Sequence, residues 1–227
     1  MCGRIILTHK PKKIPGLEPE LEFESWPGAR YNIAPSESVA TVLNDGSGAV
    51  RFTRWGLIPS WAKDPAIGNR MINARAETLT EKPAFKRPLQ RQRCVIPADG
   101  FYEWKTLPNS KTKQPMLIRL KSQEAFALAG LWDHWKAPEG SIVTSSTIIT
   151  TEPNELMATV HNRMPVILTP GCVQLWLFEG EVAAAELLAC LKPYDALLME
   201  MFAVSTLVNK PGVDVPECIR PIDQMSL

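Results

Sequence analysis

Cys94-Val95-Ile96-Pro97-Ala98-Asp99-Gly100-Phe101-Tyr102-Glu103-Trp104-Lys105 decides the fold class of this chain. Two apolar runs of strand composition flank Asp-Gly, a short-range turn signal, and predict a hairpin. With a side-chain period of two, Phe101, Glu103 and Lys105 share one face of the second strand, and Tyr102 and Trp104 the other. A carboxylate set among aromatics suits general acid or base work; the plain alternative is a surface glutamate paired with Lys105.

Strands continue on both sides of this stretch. Upstream, Ile5 to Leu7 is a short apolar run, and Val39 to Leu43 and Val50 to Trp55 flank the turn Asn44-Asp45-Gly46 as a second predicted hairpin. Downstream, Pro115 to Leu120, Ala125 to Trp132, Thr147 to Thr151 and Met201 to Val204 read as further strands. Helical composition is confined to Pro153 to Val160, a segment beginning at Thr169-Pro170, where a cap precedes proline, and Glu181 to Leu191. Residues 10 to 36, with Glu18, Glu20, Glu22 and Glu24, read as an exposed loop and short helix. The expected fold is α+β: a single domain over residues 1–227 with a largely antiparallel, barrel-like β core and peripheral helices.

Composition narrows the function classes. The hydrophobic content of 45% and the charged content of 22% are ordinary for a globular chain of 227 residues, and the net charge of +1 does not mark a nucleic-acid binder. Any DNA contact must come from a local basic surface. Lys82 to Arg93 offers one, with five positive charges and no acid; it is either a phosphate-contacting patch or a solvated helix face. Trp55 and Trp61 lie close to Gly56 and Pro59 in a shaped loop, as core residues or as rings on which bases stack. No apolar run approaches the about 18 residues of a membrane helix, so a cytoplasmic protein without membrane contact is expected. Five cysteines, odd in number and without a CxxC pair, argue against a disulfide framework and a zinc site. Cys94, Cys172, Cys190 and Cys218 are expected as small buried hydrophobes, and no metal or cofactor is expected.

The remaining cysteine is different. If Met1 is removed, Cys2 carries an α-amine beside its thiol, with reference pKa values of about 8 and about 8.5, far below the about 10.4 of lysine. Such a pair can attack an acyl carbon through sulfur, or condense with an aldehyde, amine first and sulfur second, into a five-membered thiazolidine. A Met-Cys start also arises by chance. His161, in His161-Asn162-Arg163-Met164-Pro165, lies on a connection between elements, where functional residues concentrate, although an isolated histidine is more often structural.

In combination these segments resemble the SOS response-associated peptidase (SRAP) family. The resemblance rests on Met1-Cys2-Gly3-Arg4, Arg30 to Pro35 (RYNIAP), Arg54 to Trp61 (RWGLIPSW), Ile72 to Thr78 (INARAET), Ala98 to Trp104 (ADGFYEW) and His161 to Pro165 (HNRMP). It implies processing of abasic sites in single-stranded DNA. Cys2 would form a thiazolidine with the C1′ aldehyde of the ring-opened sugar, Asn73 would orient the Cys2 amine, and Glu103 and His161 would move protons. Arg4, Arg75 and Arg163 match positions that contact phosphate or frame the site, and Trp61 matches a DNA-contacting aromatic. Self-removal of Met1 and strand cleavage through a Schiff base are further activities the resemblance implies, in a monomer. The family often carries a second aromatic after Trp61, where this chain has Ala62. Three other classes compete: a cysteine peptidase acting in trans through Cys2, His161 and Glu103; an N-terminal-nucleophile amidotransferase; and a DNA-binding module without chemistry. The amidotransferase likeness stops at the first three residues, and the binding module leaves Cys2, Asn73, Glu103 and His161 unexplained.

Overall fold

The computed structural model describes residues 2–17, 21–23, 25–107 and 112–222. Chain order begins with five strands: β1 (Ile5–Leu7), β2 (Glu22–Phe23), β3 (Arg30–Ile33), β4 (Ser38–Leu43) and β5 (Ala49–Trp55). A long loop leads to β6 (Asn73–Arg75) and helix α1 (Pro83–Arg91), then to β7 (Arg93–Ala98), β8 (Gly100–Thr106), β9 (Lys113–Leu120), β10 (Phe126–Lys136) and β11 (Ile142–Thr151). The last part holds α2 (Glu155–Ala158), β12 (Met164–Pro165), α3 (Pro170–Leu177), α4 (Ala184–Ala189) and β13 (Met199–Ala203).

Five of these strands close on themselves. β5 pairs with β4, β4 with β7, β7 with β10 and β10 with β11, all antiparallel, and the circuit is completed by a parallel pairing of β11 with β5 at Ser145↔Arg54 and Ser146↔Trp55. A barrel solves the edge problem because every strand in it has two partners. At the closure three buried hydroxyls satisfy one another, Thr41 with Thr53 and Thr53 with Ser146, each at 2.8 Å. A second sheet, in the order β13-β9-β8-β1-β3, packs beside the barrel. One cluster of buried apolar side chains runs from Cys2 through both sheets to Ala203. The fold is thus α+β and largely antiparallel, as expected.

The hairpin expected at Asp99-Gly100 does not form. β7 takes β10 and β4 as partners, whereas β8 takes β1 and β9, so the chain changes sheet at Asp99. All six residues of β7 are buried, and a strand covered on both faces takes its neighbours from the tertiary context rather than from the nearest turn. Asp99 accepts hydrogen bonds from the Thr8 amide and hydroxyl, which ties the end of β1 to the crossing point. Gly100 is required there, since a Cβ would meet the Ile118 carbonyl oxygen at 2.8 Å. The Asn44-Asp45-Gly46 hairpin does form, in the register Val42↔Val50.

Three other expectations are corrected. Residues 10 to 36 contain strands β2 and β3 and no helix among the described residues, and Ile14, Leu17, Leu21 and Phe23 are buried. Glu18, Glu20 and Glu24 of the acidic cluster lie outside the described residues. Cys172, in the first turn of α3, and Cys190, which caps α4, form a disulfide with Cα atoms 5.6 Å apart. The odd cysteine count hid this pair, because two cysteines 18 residues apart are brought together only by the packing of α3 against the end of α4. Arg93 does not belong to the basic surface: it is fully buried and its guanidinium donates to the carbonyls of Leu89, Gln90, Trp176 and Phe178. It ties the end of α1 to the end of α3. Lys82, Lys86, Arg87 and Arg91 remain exposed along α1, opposite its buried face of Ala84, Phe85, Pro88 and Leu89.

Candidate active site at the chain start

The start of the chain is held against β8. Antiparallel pairing of Ile5 with Phe101 and Ile6 with Gly100, extended by the Tyr102 amide donating to the Arg4 carbonyl at 3.0 Å, carries the preceding residues toward Glu103. Regular alternation would place Cys2 on the face of Ile6, yet Cys2 packs in the same cluster as Ile5 and Phe101. The break comes at Gly3 and Arg4, which are not in strand conformation. It turns the thiol toward the face of β8 that bears Glu103.

Cys2 is completely buried, and burial pushes its thiol well above the ordinary cysteine range, with the negative charge of Glu103 adding to the effect. Glu103 is itself buried. Asn73 arrives from a distant part of the chain on β6. Its Nδ2 donates to the Cys2 carbonyl at 2.8 Å, while its Oδ1, also buried, has no hydrogen-bond partner among the described residues. Met1, whose removal is expected, lies outside the described residues.

β11 brings the other predicted residues to the same end of the barrel. β6 pairs with its C-terminal half on one side, setting Arg75 opposite Thr150, and β12 pairs on the other, setting Pro165 opposite Thr150. His161 and Arg163 precede β12 directly. The Arg163 amide donates to His161 Nδ1 at 3.0 Å, so the neutral ring carries its proton on Nε2. Arg163 donates to both carboxylate oxygens of Glu77, at 2.7 and 2.8 Å, and to the Thr150 carbonyl at 2.7 Å. This pairing holds the Glu77 carboxyl below its ordinary range.

The predicted DNA contacts divide into two groups. Arg75 is exposed, and Trp61 is 60% exposed. Arg4 is buried instead: its guanidinium donates to Asn32 Oδ1 at 2.7 Å and the Val208 carbonyl at 2.6 Å and lies over the Trp104 ring. It fastens the chain start to the C-terminal segment and is held in the interior rather than on the surface. Trp55 is core, donating its indole N–H to the Ile72 carbonyl at 2.9 Å.

Sequence reasoning missed Glu77 as the partner of Arg163 and Asn32 as the partner of Arg4. Both lie inside quoted motifs, but the pairs span 86 and 28 residues and no local pattern announces them. Among the described residues, no group of three or more His, Cys, Asp and Glu could hold a metal ion, and no helix is long and apolar enough to cross a membrane.

A buried cysteine at position 2, an amide on its carbonyl and a neighbouring glutamate, arranged beside a closed barrel, define a recognisable class. Residues 1–211 match the family model for SOS response associated peptidase (SRAP), and the chain belongs to that family. It is 50% identical over 227 residues to the abasic site processing protein YoqW of Bacillus subtilis (strain 168), a match spanning 97% of this chain and 99% of that relative. It is 33% identical over 275 residues to the abasic site processing protein HMCES of Mus musculus, covering 98% of this chain and 76% of that one. A crystal structure of a protein from Bacteroides thetaiotaomicron superposes with a TM-score of 0.76 at 29% identity, over 83% of this chain and 82% of that one.

Proposed function

We propose that this chain, once Met1 is removed, captures abasic sites in single-stranded DNA as a covalent thiazolidine at Cys2. The neutral α-amine adds to the C1′ aldehyde of the ring-opened sugar and expels water to give an imine. The Cys2 sulfur then adds to the imine carbon, and the nitrogen takes up the proton that the thiol gives up. The observation that carries this reading is the hydrogen bond from Asn73 Nδ2 to the Cys2 carbonyl, made where the cysteine lies buried under the influence of Glu103. The Asn73 Oδ1 beside it, without a partner among the described residues, is an acceptor that a released α-amine would satisfy.

Glu103 accepts the thiol proton and supplies one as water leaves; His161, with Nδ1 engaged by the Arg163 amide, transfers protons through Nε2. Arg75 and the exposed cations of α1 contact phosphate, Trp61 stacks on an unpaired base, and Arg163 exchanges Glu77 for phosphate when DNA arrives. Self-removal of Met1 and cleavage of the strand through the imine belong to the same chemistry. The protein acts in this reading as a monomer in the cytoplasm.

The test turns on one amine. Protein carrying a single uncleavable residue ahead of Cys2 keeps the thiol, Asn73, Glu103 and His161 but has no α-amine at Cys2. Mature protein is expected to give an adduct with abasic single-stranded DNA that survives denaturation without borohydride, and the extended protein none, while both bind intact single strands. Undiminished crosslinking by the extended protein overturns the mechanism. A peptidase acting in trans needs only a thiolate and base, so peptide hydrolysis persisting in the extended protein would favour that class instead.

A further inference from the structure

We propose that Asp133 and Trp135 are positioning residues that hold Trp61 as a preformed stacking surface for an unpaired nucleobase. The inference rests on the reading of Trp61 as a DNA contact and concerns what makes that contact possible. Trp61 is the one exposed tryptophan among the described residues. An indole on a loose loop would fold back onto the surface, and ordering it on binding would cost affinity. Here the loop is fastened on both sides of the ring.

The anchors follow one another along the chain. The Gly56 amide donates to the Ser146 carbonyl and the Ile58 amide to Ser145 Oγ, each at 2.8 Å, so the loop is tied to β11 before it reaches the ring. Gly56 has φ +121° and abuts Gly68, whose carbonyl oxygen a Cβ on Gly56 would meet at 2.5 Å, which pinches the loop at its base. The Ser60 amide donates to Asp133 Oδ2 at 2.8 Å, and Trp135 Nε1 donates to the Ala62 carbonyl at 2.7 Å. Residues 60 and 62 are therefore held by Asp133 and Trp135, two buried side chains on one face of β10, and the ring between them projects into solvent. Trp135 also packs against Ile58, Ala62 and Ile67 beneath the loop.

Asp133 does more than hold Ser60. It is buried, and Oδ1 accepts from Gln92 Nε2 at 3.0 Å and from the His134 amide at 2.8 Å. Three donors converge on one side chain, a demand that a carboxylate meets and an amide cannot, because Asn would turn its NH2 toward one of them. Gln92 ends α1, the helix whose exposed face carries Lys82, Lys86, Arg87 and Arg91. One carboxylate thus sets the stacking ring and the basic helix in a common frame.

The test measures binding of a fluorescent oligothymidylate without abasic sites, by anisotropy, for wild type, Trp61→Ala, Asp133→Asn, Trp135→Phe and the double variant Trp61→Ala/Asp133→Asn, with a melting curve for each. Trp61→Ala is expected to weaken binding about tenfold, in the range for loss of one base stack. Asp133→Asn and Trp135→Phe are expected to weaken it about three- to fivefold, and Asp133→Asn less than about twofold further when Trp61 is already alanine. If Asp133→Asn weakens binding equally with and without Trp61, the brace is refuted, as it is if folded Asp133→Asn and Trp135→Phe bind like wild type while Trp61→Ala does not. If Asp133→Asn does not fold, Trp135→Phe carries the same comparison. Full affinity in Trp61→Ala sinks the reading of Trp61 as a DNA contact, and the brace with it, without touching Cys2.

Discussion

Replacing Asn73 with alanine removes a side chain that donates to the carbonyl of the fully buried Cys2 at 2.8 Å. A neutral buried hydrogen bond is worth about 0.5–1.5 kcal/mol net, and leaving the carbonyl unsatisfied costs about 1–3 kcal/mol. Expressed in stability, a loss of about 1–3 kcal/mol lowers Tm by roughly 2–12 °C for a chain of this size. Expressed in the transition state for imine formation, the same loss slows reaction by about 5- to 150-fold, since about 1.4 kcal/mol is a factor of ten. We expect a slowing near the middle of that range, because the amine and the carbonyl belong to the same residue and misplacing one misplaces the other. The assay is the rate of denaturation-resistant adduct on abasic single-stranded DNA at saturating protein, at a temperature where the variant is folded. Affinity for intact single strands should not change, since Asn73 faces Cys2. Asn73→Asp should be no faster than Asn73→Ala, because it sets an oxygen against the carbonyl where a donor stood. Folded Asn73→Ala reacting within about twofold of wild type would refute the orienting role.

Other perturbations probe the surroundings. Glu77→Gln releases Arg163 from a bidentate pair whose carboxylate is half exposed, so stability should change by well under about 1 kcal/mol while single-strand affinity rises about two- to threefold with a steeper salt dependence; an unchanged salt slope means that Arg163 does not reach phosphate. Arg93→Met strands four carbonyls at the junction of α1 and α3 and should cost about 3 kcal/mol or more, read as a fall in Tm of roughly 6–12 °C; a fall below about 2 °C refutes this account of the buried guanidinium. Burial raises the Asp99 carboxyl above its ordinary 3.8, so the folded state holds that proton more tightly than the unfolded chain, and the group's contribution to stability is full below 3.8 and lost as pH rises through the folded value. Urea midpoints across that window should therefore show a downward component with rising pH that Asp99→Asn abolishes; parallel profiles for the two proteins would contradict it.

Much of this molecule was legible in its residues. The apolar run Val39 to Leu43 and the strand Val50 to Trp55, with Asn-Asp-Gly between, determined a hairpin that forms, and proline after Thr169 determined the start of α3. Those signals are local: side-chain period, turn residues and caps act over a few positions, and the same physics holds in the folded chain. Cys2, Asn73, Glu103 and His161 lie in motifs of the sequence by which the chain resembles the family it belongs to.

What the residues could not state was who meets whom. Asp99-Gly100 marked the break between two strands but not a hairpin: only closure of the barrel decided that β7 stays inside it while β8 crosses to the second sheet, because strands buried on both faces are placed by global packing. Asn73 meets the Cys2 carbonyl across 71 residues because β6 lies on β11, and Arg163 meets Glu77 across 86 because β12 lies on the other edge of the same strand. Charge alone placed Arg93 among the surface cations; four carbonyls at converging helix ends placed it in the interior. A sequence determines local geometry through short-range sterics and hydrogen bonding, whereas the partner of a buried polar group is fixed by whichever distant element the hydrophobic core brings alongside it.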